Sequence, residues 1–285
     1  FPCSLLRQDR PGHFVDVTKA AGLEVAGPSR SACFADVDGD TDLDLFVGYE
    51  TEPGPNGPRF PSRLWQNDGA GHFVDATPQS GIRNDARVVG AVFGDADGDG
   101  DMDLFVSNLL AKNKLFVNRG DGVFVDEAEA RGVAQPEASG PCGWLDFDQD
   151  GDLDLLVTYQ HHYRPIRAVA AWYLEGRVED EVQRLYENDG TGHFVDVANA
   201  RGMRRVLMAT GLGFGDLDAD GATDVYVATG AHDLAALFPN VLLMGGERFR
   251  DATFAAGVGH LQKGNGVAMG DLDDDGDLDL VCQVG

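Results

Sequence analysis

No run of apolar residues in this 285-residue chain approaches the roughly 20 that a bilayer-spanning helix needs, so such a segment is excluded. Basic residues are scarce: 22 Lys and Arg stand against 48 Asp and Glu, a formal net charge of −26. A field of that sign repels phosphate backbones and removes nucleic acid from the partner classes. Cysteine is sparse too. Cys3, Cys33, Cys142 and Cys282 form no C-x-x-C pair, so a cysteine zinc site or dithiol redox motif has no support. A nucleophile elbow, a phosphate loop and a dinucleotide fingerprint are also missing. Disorder, a frequent companion of acid excess, needs few aromatics, yet 9% of this chain is aromatic and Val, Leu and Phe recur in short runs. The acid serves local structure.

What is present is repetition. Five segments read alike: residues 36–47 (DVDGDTDLDLFV), 95–106 (DADGDGDMDLFV), 146–157 (DFDQDGDLDLLV), 216–227 (DLDADGATDVYV) and 271–282 (DLDDDGDLDLVC). A second unit alternates with them, as at residues 63–77 (RLWQNDGAGHFVDAT) and 184–198 (RLYENDGTGHFVDVA), with a copy at residues 4–18. Each period offers four short strands separated by Gly/Asn/Asp turns, the signature of an all-β repeat. A sheet of four short strands cannot bury its faces alone, so neighbours must stack radially as the blades of a β-propeller. The expectation is one calcium-binding propeller domain over residues 1–285. The chain starts in the phase of strands three and four and stops after strands one and two. Five blades closed by those two ends are therefore expected, the alternative being part of a seven-bladed ring. Closure would set residues 279–282 antiparallel to residues 4–7, which puts Cys3 and Cys282 at one hairpin end and predicts a disulfide between them; two unpaired thiols are the alternative. The start at Phe1 rather than Met is read as loss of an export leader or as trimming, and a secreted or periplasmic location is expected.

The acidic segments follow D-x-D-x-D-G-x-x-D. A hard cation such as calcium takes six to eight oxygens, and carboxylates at positions one, three, five and nine with a position-seven carbonyl supply them. The copies are Asp36, Asp38, Asp40 and Asp44; Asp95, Asp97, Asp99 and Asp103; Asp146, Asp148, Asp150 and Asp154; Asp216, Asp218, Asp220 and Asp224; and Asp271, Asp273, Asp275 and Asp279. Position seven is Asp101, Asp152, Ala222 or Asp277 in the last four, as expected where only the carbonyl acts. Position six must turn sharply and is Gly, except for Thr41 in the first copy, which is expected to be the weakest site or to use a different turn. Four carboxylates in one turn repel without a cation, and up to five Ca2+ would bring the charge of −26 to about −16.

These loops, with the F-V-D-x-T/A strands that follow, resemble FG-GAP/VCBS repeats. The run FVDVTKAAGL at residues 14–23 is similar to bacterial relatives of the cartilage acidic protein (CRTAC/ASPIC) group. The resemblance implies an exported binding or adhesion module. Some proteins with such repeats are instead alkylating or cyclising enzymes.

Residues that break the repeat are the better functional candidates. His13, His72 and His193 share one G-H-F turn and read as structural, whereas His161, His162, His232 and His260 have no counterparts. Long strand-two-to-three connections and the strand-four-to-one connections (with Arg30, Arg87, Arg204, Arg205, His260 and Lys263) emerge opposite the acidic loops. The expectation is a two-faced disk that recognises a glycan, protein or small molecule through this second face. The longest insertion, residues 159–183, would act as a lid with His161, His162, Tyr163 and Arg164, helped by Arg87, Arg205 and His232. A solvated loop capping exposed core is the plainer reading. A cyclase or alkyltransferase-like enzyme is the second function, with His161 or Tyr163 as base and Arg87 or Arg205 binding developing negative charge.

Overall fold

The computed structural model describes residues 3–23, 27–50, 60–160, 165–178, 182–230, 238–261 and 263–284. The chain opens with a two-stranded ribbon, β1 (Leu6–Arg10) and β2 (His13–Asp16). Four four-stranded antiparallel meanders follow. Blade one is β3 (Ser29–Ala35), β4 (Asp44–Tyr49), β5 (Arg63–Asn67) and β6 (Phe73–Asp75), trailed by the single turn α1 (Thr77–Ser80). Blade two is β7 (Arg87–Gly94), β8 (Asp103–Leu109), β9 (Lys114–Asn118) and β10 (Phe124–Asp126). Blade three is β11 (Ser139–Leu145), β12 (Asp154–Tyr159), β13 (Arg184–Asn188) and β14 (Phe194–Asp196), with helix α2 (Pro165–Glu175) inserted between its second and third strands. Blade four is β15 (Ala209–Gly215), β16 (Asp224–Thr229), β17 (Val241–Met244) and β18 (Arg250–Asp251). A ribbon of β19 (Gly264–Gly270) and β20 (Asp279–Val284) ends the described chain. All-β architecture and four-stranded repeats are as the sequence implied.

The core lies between blades, as radial stacking requires. One apolar cluster joins Phe46 and Leu64 of blade one to Leu104, Val106 and Phe116 of blade two; a second joins Phe105, Leu115 and Val117 to Leu155, Val157 and Tyr186. A third joins Leu156 and Leu185 to Val225, Val227 and Leu243. Second strands face neighbours on both sides, so β8 is buried along its whole length, with Leu104, Phe105 and Val106 in unbroken succession. Trp144 of β11 wedges between blades, its ring 6.2 Å from Phe105 and 6.0 Å from Phe194. It demands glycine opposite: a Cβ on Gly94 would sit 2.7 Å from the Trp144 ring.

Each first strand carries a β-bulge near its start, with register shifts at Ser29/Ser31, Val88/Gly90, Ser139/Cys142, Ala209/Gly211 and Gly264/Gly266. A bulge leaves a residue unpaired and re-aims its side chain. Arg30, Val89, Pro141, Thr210 and Asn265 are so placed.

The two ribbons are separate sheets, and β20 is not paired with β1. Cys3 and Leu5 pack on blade one, while Leu280 and Cys282 pack on blade four. The expected disulfide is therefore corrected. All four cysteines are free; Cys3 Sγ lies 2.7 Å from Ser29 Oγ, and Cys282 Sγ accepts a hydrogen bond from Asn240 Nδ2 at 3.3 Å. The physical cause is that each sulfur belongs to a ribbon held by a different blade.

Candidate metal centres and the opposite face

The acidic loops connect first to second strands, and all five are wired alike. The position-six N–H donates to the position-one carboxylate: Thr41 to Asp36 at 2.9 Å, Gly100 to Asp95 at 3.0 Å, Gly151 to Asp146 at 3.1 Å, Gly221 to Asp216 and Gly276 to Asp271 at 2.9 Å. The position-seven N–H donates to position five, as from Asp101 to Asp99 at 2.9 Å and Ala222 to Asp220 at 2.8 Å. The position-two N–H donates to position nine, as from Val37 to Asp44 at 3.1 Å and Leu272 to Asp279 at 3.0 Å.

This wiring requires two left-handed residues per loop. Position six has φ of 76° at Thr41 and 95°, 95°, 92° and 95° at Gly100, Gly151, Gly221 and Gly276. Thr41 thus takes the glycine conformation, and the alternative of a rebuilt first turn is corrected. The backbone hydrogen bond to Asp36 holds it there. Position four is left-handed as well: Gly39 75°, Gly98 73°, Gln149 63°, Ala219 57° and Asp274 60°. Nothing in the five-copy consensus marked that position, because it tolerates Gly, Gln, Ala and Asp.

Carboxylate oxygens converge in every loop. Asp36, Asp38 and Asp40; Asp95, Asp97 and Asp99; Asp146, Asp148 and Asp154; Asp216, Asp218 and Asp224; and Asp271, Asp273 and Asp279 each bring three oxygens within 4.8 Å of one another. Asp150, Asp220 and Asp275 at position five lie outside these triplets, as do Asp44 and Asp103 at position nine. Position nine is a clamp in its own right. Asp103 accepts from the N–H of Ala96 at 3.0 Å and of Asn118 at 2.7 Å; Asp154 accepts from Phe147 at 3.1 Å and Asn188 at 2.9 Å. Burial pushes the carboxyls of Asp103 and Asp154 up to about 7 despite those bonds, and raises Asp44 and Asp224 in the same direction. A cation beside them opposes that rise by favouring the ionised form.

The donor set suits a hard cation: all ligand atoms are oxygens, and Asp97 Oδ1, Asp146 Oδ1 and Asp148 Oδ1 are buried with no hydrogen-bond partner. Other side chains reach in that the repeat consensus did not flag. Arg131 Nη2 donates to Asp97 at 2.8 Å, Arg201 Nη2 donates to Asp148 at 3.2 Å, and Gln66 Nε2 donates to Asp38. Arg131 and Arg201 occupy matching A-R-G positions 70 residues apart, the interval that separates the third and fourth acidic loops, so register alone exposes them. Asn118 Nδ2 donates to Val37 O at 2.8 Å and Asn188 Nδ2 to Ala96 O at 2.9 Å, each tying its blade to the preceding loop.

Of the residues expected on the opposite face, His161, His162, Tyr163, Arg164 and His232 lie outside the described residues. Arg87 and Arg205 are engaged in structural pairs. Arg87 Nη2 meets Glu50 of blade one at 2.7 Å, and Arg205 Nη2 meets Asp251 at 2.7 Å. The guanidinium of Arg205 also lies 5.9 Å from the Trp172 ring centroid. The described part of the insertion is helical: α2 sets Ala168 in an apolar cluster with Val182, Val206, Met208 and Phe238, with Trp172 packed against it. It covers core, which is the plainer of the two sequence readings.

Acidic loops on propeller-type blades define a class of repeat protein, and comparison with known proteins shows what the chain is similar to. The FG-GAP-like repeat model matches residues 54–106 and 97–157, and this part of the chain carries FG-GAP-like repeats. It is similar to cartilage acidic protein 1 of Xenopus tropicalis, 27% identical over 168 residues that cover 55% of this chain and 25% of that protein. The human protein of the same name is 28% identical over the same length, with 55% and 24% covered. The match thus spans about a quarter of those relatives. Among solved structures, the V. cholerae biofilm matrix protein Bap1 aligns with a TM-score of 0.42 at 13% identity, over 86% of this chain and 32% of that one. Among the described residues no helix is long and apolar enough to cross a membrane.

Proposed function

We propose that the chain is an exported, calcium-stabilised propeller that recognises a glycan, protein or small molecule through the face opposite its acidic loops. One observation carries the metal reading: five loops share one hydrogen-bond wiring, and each gathers three carboxylate oxygens within 4.8 Å. Each loop would hold one Ca2+ through the position-one and position-three aspartates with position five or nine completing the set. The ion offsets two of the loop's negative charges, and the loop locks strands one and two of its blade. Its role is structural, so recognition falls to the connections at the other end of the strands. Secretion or periplasmic export fits the resemblance to cartilage acidic protein 1 and the millimolar to submillimolar calcium that such loops use outside cells.

Closure into five blades is part of this proposal. Val281 of β20 is 50% exposed, whereas its counterparts Phe46, Phe105 and Leu156 are at most 1% exposed. On the other ribbon Leu6 is 56% and Phe14 60% exposed, against 6% and 8% for their counterparts Trp65 and Phe73. Pairing of β20 with β1 in the β4–β5 register would cover these side chains. It would set Leu280 opposite Leu6, as Leu45 stands opposite Trp65.

The test is removal of the metal. A site at 100 times its dissociation constant stabilises by about 2.7 kcal/mol, and each kcal/mol moves the melt of a domain this size by about 2–4 °C. Stripping several sites with chelator is expected to lower Tm by more than about 10 °C, with calcium restoring it. An unchanged melt in protein shown by elemental analysis to be metal-free refutes the reading.

A further inference from the structure

The five bulges of the first strands converge on one cavity. It has a volume of about 400 Å3 and is lined by Arg30, Val89, Pro141, Thr210 and Asn265, each the residue at which its strand slips register. The bulges lie at the strand ends remote from the acidic loops, so this well belongs to the face assigned to recognition. Close approach of the strands builds its wall: a Cβ on Gly211 would lie 3.1 Å from the Cα of Gly266. The strands keep one backbone plan, yet their bulge residues are all different. The repeat constrains the frame and leaves the lining free to vary.

The lining has a definite chemistry. In a chain with 48 acidic residues, none lines this cavity, and Arg30 is its one charged side chain. Ser31 is committed to blade two, accepting from the N–H of Ala91 at 3.0 Å, and Thr210 Oγ1 donates to Gly264 O. Among the described residues Arg30 has no acidic partner, and the Asn265 amide has no hydrogen-bond partner. Thr210 Oγ1, having spent its proton, presents lone pairs. The well therefore offers a guanidinium fork for a carboxylate, an amide that both donates and accepts, and a hydroxyl oxygen that accepts.

Resting on the recognition reading above, we propose that this central well binds a small hydroxylated carboxylic acid. Arg30 takes the carboxylate, and Thr210 and Asn265 take hydroxyls. Val89 and Pro141 supply the apolar wall. The two free polar groups come from β3 and β19, the innermost strands of blade one and of the last ribbon, so the site is complete only when both ends of the repeat array are in place.

Calorimetric titration of the full chain in calcium buffer tests this, with D-glucuronate as the probe, D-glucose as its uncharged counterpart and inorganic phosphate as a bare oxyanion. The expected result is saturable glucuronate binding at least ten-fold tighter than either comparator. Arg30→Ala should weaken it at least ten-fold and Asn265→Ala several-fold. Arg204→Ala, an exposed arginine outside the well, should leave it unchanged. All variants should melt with the parent. Glucuronate binding no tighter than glucose or phosphate, or unaffected by Arg30→Ala, overturns the well. Binding insensitive to Arg30→Ala but lost in Arg204→Ala moves the ligand elsewhere on the face, ending this proposal while leaving the recognition reading intact.

Discussion

Arg205 Nη2 stands 2.7 Å from Asp251 Oδ2, and it replaces a cation that blade four lacks. In the first three blades the residue that opens strand three pairs with the aspartate of strand four: Arg63 with Asp75, Lys114 with Asp126 at 2.6 Å, and Arg184 with Asp196 at 2.8 Å. In blade four that residue is Val241, and the charge arrives from the connection before the blade. The Arg205 side chain is only 8% exposed, though Asp251 is 42% exposed. Arg205→Ala is expected to cost about 1–2 kcal/mol in urea unfolding, discounted for the solvent around the carboxylate. A cost below about 0.3 kcal/mol would show the pair to be idle.

Thr41 sits at φ 76° in the place where the other loops have glycine. A β-branched residue in the left-handed region is strained by about 1 kcal/mol, and glycine relieves this at some cost in chain entropy. Thr41→Gly should raise stability by about 0.5 kcal/mol and tighten the first loop's calcium affinity, both read by melts across a calcium series. A destabilised variant contradicts this account of the turn.

Asn118 and Asn188 donate to the preceding blade's loop, whereas Asn67 Nδ2 donates to Leu43 O of its own blade's loop, at 3.2 Å. Asn118→Ala and Asn188→Ala leave buried carbonyls unsatisfied and should cost about 1–3 kcal/mol each. Asn67→Ala should cost under about 1 kcal/mol. Equal losses in all three would remove the inter-blade role.

Burial pushes the thiols of Cys33 and Cys142 up to about 12. At pH 8 only about one molecule in ten thousand carries the thiolate, the reactive form. Both should resist iodoacetamide in the folded, calcium-loaded protein and react once it is unfolded. Mass spectrometry of digests reads the sites. Rapid native labelling at either position contradicts the burial.

The repeat made the blades legible because copies in register average out local ambiguity: the strand runs and the five aspartate sets appear where spacing put them. Identity at a position was the limit. Position four of the loops varies from Gly to Gln, Ala and Asp, so its left-handed backbone left no mark. Arg205 looked functional because it broke the repeat, yet it breaks it to compensate for Val241. A departure from a repeat signals a changed requirement, and local pairing satisfies that requirement as readily as a ligand does. The bulges escaped notice for a related reason: register slips are backbone events, and Arg30, Val89 and Asn265 share no side-chain pattern.

In blade three an insertion carrying a whole helix separates β12 from β13, yet Asp154 is gripped at 3.1 and 2.9 Å, close to the 3.0 and 2.7 Å of Asp103 in blade two, which has only a short connection there. Length added at one end of a blade leaves the other end undisturbed. Such an architecture is a natural chassis for grafting: foreign peptides or whole modules can be spliced between β12 and β13 and selected for new specificities while the foundation stays as it was.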